Sequence, residues 1–90
     1  MVGKTLETPK LKEWYVKPIE MLSNNWAYIK QDECEVNFVR DIGVVFDSIK
    51  FNSIGAAHKA LLKNGFIKLI TDKEALKYIV PPETIVDAGE

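Results

Sequence analysis

From Cys34 to Val39 the chain alternates, with Cys34, Val36 and Phe38 interleaved with Glu35, Asn37 and Val39. That period of two is the pattern of a half-buried strand. Trp26 to Lys30 supplies a matching arm across Gln31-Asp32-Glu33, so residues 26–40 predict a hairpin. Upstream, Lys12 to Lys17 is aromatic and β-branched and meets Pro18, which predicts a short edge strand stopping there. Downstream, Asp41-Ile42-Gly43 predicts a turn with Gly43 free to take positive φ. Val44 to Asp47 and Ile49 to Phe51 follow as the next strand, with a bulge expected near Ser48.

At Asn52 the period changes. Ile54, Ala57, Leu61 and Leu62 fall on one arc of a helix, opposite Lys59 and Lys63. Asn52 or Ser53 is the expected N-cap, and Asn64-Gly65 the C-terminal stop. In that register Leu61 and Phe66 are the apolar pair of a Schellman motif. Phe66 to Ile70 predicts a further strand. Thr71 and Glu74 have the spacing of a capping box, opening a second helix that runs to about Ile79 before Pro81-Pro82.

The element order β-β-β-β-α-β-α predicts a small α+β domain. We expect an antiparallel sheet of four to five strands arranged as a meander, with two helices packed on one face. Residues 1–10 read as a flexible lead-in, 11–80 as the single domain, and 81–90 as a flexible acidic tail. Ninety residues allow one modest core.

Composition narrows the function classes. The lone Cys34 cannot form an internal disulfide, and no apolar run approaches the length of a membrane span, so a cytoplasmic protein is expected. The net charge of −1 conceals opposed blocks. Residues 20–47 carry six acidic side chains against Lys30 and Arg40, whereas residues 48–79 carry six lysines against Asp72 and Glu74.

No motif of nucleotide, zinc or calcium chemistry is present. One histidine and one cysteine cannot build a metal site, and the Asp32-Glu33-Cys34-Glu35 cluster lacks the spacing of a calcium loop, so neither metal nor cofactor is expected. His58 lies on the apolar arc of its helix. The expected role is structural, with a ring nitrogen bonded to a strand carbonyl or a tyrosine. An enzymatic reading would pair it with a carboxylate such as Asp47 or with Cys34.

The aromatic residues carry more weight. Trp14, Tyr15, Trp26 and Tyr28 fall on predicted strands, with Lys30 next along the face of Trp26 and Tyr28. If that face is open, it docks another protein or a second copy of this chain. The alternative is nucleic acid, stacked on the rings beside the lysines.

The run from Trp26-Ala27-Tyr28-Ile29 through Phe51-Asn52-Ser53 to Ala60-Leu61 loosely resembles the small sheet-plus-helix DNA-binding modules of plants and of integrase arms. It lacks their arginine-rich sheet. Phe51, Ser53, Ala57, Leu61 and Gly65 are also spaced as in cell-wall-binding SPOR repeats. The expectation is therefore a non-catalytic binding domain using Trp14, Tyr15, Trp26, Tyr28 and Lys30, with an enzyme built on His58 and Asp47 ranked last.

Overall fold

The computed structural model describes residues 4–20 and 23–87. Its centre is the hairpin that the alternation predicts. Strands β3 (Ser23–Lys30) and β4 (Glu35–Arg40) pair antiparallel, with Lys30 opposite Glu35 and Asn25 opposite Arg40. Cys34 belongs to the turn, not to the strand. Its φ of 51° is left-handed, and its carbonyl accepts the Phe51 amide at 2.9 Å.

Strand β5 (Val44–Lys50) returns antiparallel along β4 after the expected turn, where Gly43 adopts φ 89°. Val45 faces Val39 and Asp47 faces Phe38, so the bulged residue is Phe46 and not Ser48. On the other side of β3 runs β2 (Tyr15–Glu20), which continues through Pro18. Proline is tolerated there because, among the described residues, the outer neighbour of β2 reaches only Tyr15 and Val16, which leaves Pro18 on an edge. The strand also starts later than predicted. Residues Leu11–Glu13 form a 3-10 turn, and the Glu13 carboxylate accepts the Lys10 amide at 2.8 Å.

Helix α1 (Ile54–Lys63) has the expected punctuation. Ser53 accepts the Ala56 amide at 3.1 Å. At the other end Gly65 has φ 93°, its amide bonds to Leu62, and the Phe66 amide bonds to Leu61. These are the two bonds of a Schellman motif, and Leu61 and Phe66 are buried in one cluster.

The predicted fifth strand shrinks to β6 (Ile67–Lys68), followed by a 3-10 turn over Leu69–Thr71. Thr71 donates to the Lys68 carbonyl at 2.7 Å and so serves that turn instead of capping a helix. Helix α2 (Lys73–Tyr78) begins two residues later, with the Leu76 amide bonded to the Asp72 carbonyl.

Two strands fall in the stretches expected to be a lead-in and a tail. These are β1 (Lys4–Leu6) and β7 (Ile85–Asp87). They pair antiparallel with each other, and β7 lies parallel to β5 at Val44 and Val45. Among the described residues the sheet is therefore mixed, with seven strands in the order β1-β7-β5-β4-β3-β2-β6; only β2 to β5 form the predicted meander. The broad α+β class holds.

The helices do not share a face. Helix α1 covers Tyr15, Ala27, Ile29 and Val36, together with Phe66. On the opposite face Leu76 of α2 and Ile79 pack against Trp14, Val16, Trp26, Tyr28 and Val39, together with Leu69 and Ile85. The cause is in the strands, which carry apolar side chains on both sides, Trp26 and Tyr28 on one and Ala27 and Ile29 on the other. A sheet apolar on both faces needs two covers.

Candidate binding cleft

The four aromatic residues expected on an open face are interior. Trp14, Tyr15, Trp26 and Tyr28 are all buried. Trp14 meets Trp26 and Tyr28 edge-on, with ring centres 5.6 and 5.4 Å apart. The Trp26 indole donates to Asp41 Oδ1 at 2.6 Å, while Asp41 Oδ2 accepts the Asn24 amide at 2.9 Å. Tyr28 accepts from Asn37 Nδ2 at 3.0 Å, and Ser48 donates to Asn37 Oδ1 at 2.7 Å, a polar chain across three strands. These rings are occupied by packing and cannot present a stacking surface. Lys30 is half-buried and bridges Glu33 and Glu35 at 3.3 and 3.6 Å. Burial pulls its ammonium down, but the hydrogen bonds and charges of the two glutamates outweigh it and hold the group above its ordinary value.

His58 finds the tyrosine partner expected of a structural histidine. Its Nδ1 lies 2.5 Å from the Tyr15 hydroxyl, with the rings edge-on. Asp47 instead accepts the Ser48 amide at 2.8 Å and lines a different cleft from His58, so the pair that an enzyme would need is not assembled. Among the described residues no group of three or more His, Cys, Asp or Glu side chains could hold a metal ion. No helix among them is long and apolar enough to cross a membrane.

Burial raises the Tyr15 phenol above its ordinary value of 10.0. The unfolded chain ionises near that value and the folded chain only above it. Stability from the neutral phenol is therefore complete below pH 10.0 and lost as pH rises through the folded value. Tyr15→Phe is expected to cost about 1 kcal/mol at neutral pH through the lost bond to His58. It should also flatten the alkaline loss, as measured by urea unfolding of both proteins on either side of the phenol's ordinary value.

A different site emerges where α1 stops short of β5. All four phenylalanines of the chain, Phe38, Phe46, Phe51 and Phe66, line one cleft with Ile49 and Leu61. Its volume is about 290 Å³, and Lys17, Asn25, Asp47 and Asn64 supply its polar lining. Phe38 packs at tilted angles against both Phe46 and Phe66, with centres 6.3 and 5.7 Å away. Arg40 lies over Phe46 at 4.8 Å. Phe46 and Ile49 are each more than two-fifths exposed.

Beside this cleft the sheet has an open edge. β7 reaches β5 only at Val44 and Val45, and among the described residues no strand pairs with the outer side of Phe46 to Lys50. The bond from the Phe51 amide to Cys34 fixes the phase of the antiparallel ladder. Asp47 and Ile49 turn their backbone groups toward β4, and Ser48 and Lys50 turn theirs outward. The Ser48 amide donates to the neighbouring Asp47 carboxylate at 2.8 Å.

The sequence carried a signal for this site, the spacing of Phe46, Ile49 and Phe51, but read as strand interior it pointed to core. Comparison with known proteins yields no family model, no curated protein and no solved structure that matches the chain.

Proposed function

We propose that this chain is a binding domain that takes up an extended segment of another polypeptide along the outer edge of β5, with an apolar side chain entering the phenylalanine cleft. The observation that carries this reading is the juxtaposition of the two features on one strand. Ser48 and Lys50 offer outward backbone groups where Phe46, Asp47 and Ile49 line an apolar recess. Strand addition draws affinity from main-chain hydrogen bonds and specificity from pockets for alternate side chains.

The charge of Asp47 favours a foreign segment over a second copy. Asp47, Ile49 and Phe51 share one face of the strand. Antiparallel self-pairing centred on Ser48 or Ile49 sets Asp47 against Ile49 or Phe51 of the other copy, burying a carboxylate against an apolar group. A segment with Lys or Arg opposite Asp47, and an apolar residue two positions away, meets both features.

Selection of random linear peptides on the purified protein tests this. Enriched peptides are expected to carry a basic residue and a large apolar residue two positions apart and to perturb the Ser48 and Lys50 amides in NMR spectra. Phe46→Asp, at an exposed position, should keep the fold and weaken their binding at least about tenfold. Peptides that bind Phe46→Asp as well as the parent overturn the reading. So does a tight dimer of the pure protein in sedimentation, which would place a second copy on the edge.

A further inference from the structure

The other flank of α1 borders a larger and more polar cleft of about 740 Å³, lined among others by Lys10, Lys12, Lys68, Tyr15, His58 and Gln31. Its cations come from separate parts of the chain, Lys10 and Lys12 ahead of β2 and Lys68 from β6. None of the three is paired with a carboxylate among the described residues; the ion pairs there involve Lys30 and Lys77. Among the described residues Glu13 is the one acidic residue lining the cleft, and one oxygen of its carboxylate is engaged by the Lys10 backbone amide at 2.8 Å. Lys68 Nζ lies 5.9 Å from the centre of the Tyr15 ring. Three like charges around one recess raise its positive potential, and an anion placed among them relieves their repulsion.

The tyrosine–histidine pair adds direction to that charge. The Tyr15 hydroxyl and His58 Nδ1 share a hydrogen bond 2.5 Å long, which fixes the orientation of the imidazole at the cleft wall. In the tautomer in which the phenol donates, the ring hydrogen sits on Nε2 and makes an oriented N–H donor. We infer that this cleft binds a phosphate-type oxyanion, with Lys10, Lys12 and Lys68 supplying charge and His58 Nε2–H and the Gln31 amide supplying hydrogen bonds. The inference does not depend on the phenylalanine cleft, which lies on the opposite flank of the helix and uses other residues.

The test is titration of the full chain with inorganic pyrophosphate at moderate fixed salt, followed by NMR. A saturable change centred on Tyr15, Gly55, His58 and Lys68 is expected. The double variant Lys12→Gln/Lys68→Gln should bind at least about tenfold more weakly, the worth of a lost charge-assisted contact. Lys59→Gln/Lys63→Gln, which removes the same charge from the exposed face of α1, should change affinity by no more than about twofold. Equal weakening in the two double variants would show a response to overall charge alone and overturn the site. Shifts that never saturate, or that spread evenly over all lysines, would also overturn it.

Discussion

Gly43→Ala is expected to remove about 3 kcal/mol or more of stability, a large share of the roughly 5–13 kcal/mol available to a chain of this length. Two costs combine. Gly43 sits at φ 89°, a conformation costing an L side chain about 1–2 kcal/mol. A Cβ there would also lie 2.2 Å from the Thr84 carbonyl oxygen. That oxygen is backbone, so no rotamer change relieves the clash, and β7 must move away from β5.

The Gly43 carbonyl is also the acceptor for the Val86 amide at 2.8 Å, the bond that starts the parallel pairing. Urea unfolding should show a lower midpoint, and hydrogen exchange should show the Val86 amide losing protection before those of β3 and β4. Gly55→Ala is the matched control. Its nearest neighbour is Ser53 Oγ at 3.9 Å, so the added methyl makes an ordinary van der Waals contact and favours the helix by about 0.5–1 kcal/mol. An unchanged midpoint in Gly43→Ala would mean that β7 is not held as described.

Trp26→Ala is expected to be costlier still. An aromatic ring on an open sheet face could be truncated with the fold intact, but Trp26 is fully buried and packs edge-on against Trp14. Truncating such a side chain costs about 3–5 kcal/mol through lost burial and the cavity left behind. The indole N–H to Asp41 adds a second effect, because Asp41 also holds the Asn24 amide and so ties the β4–β5 turn to β3. Trp26→Phe separates the two, retaining much of the volume while removing the donor, for an expected loss of about 1–2 kcal/mol. Thermal unfolding of the two variants checks the order. A Trp26→Ala protein as stable as the parent would place the ring outside the core.

The elements most legible in the sequence were those whose local signals agreed. Strand β4 alternates, its hairpin turn is polar, and α1 has Ser53 at one end and Gly65 at the other. Strands β1 and β7 were not legible because three residues carry no periodicity; what holds β7 is the long-range burial of Ile85. The placement of the helices was missed for a related reason. An aromatic on a strand looks the same in sequence whether its face is open or covered, and the cover over Trp26 comes from Leu69, Leu76 and Ile79, more than forty positions away.

The phenylalanine cleft follows from widths that no local pattern encodes. One helix about 10 Å across cannot cover a sheet of seven strands spaced about 4.8 Å apart. β5, beyond its reach on that face, keeps Phe46 and Ile49 exposed.

The pairing of Leu6 with Ile85 and of Lys4 with Asp87 sets an order on folding. Hairpins β2–β3, β3–β4 and β4–β5 close over short loops and can form while synthesis continues. The border made by β1 and β7 cannot form until residue 87 has left the ribosome. Until then the outer side of β5 lacks even the short cover that β7 gives Val44 and Val45, and the nascent chain is most open to mispairing at that edge.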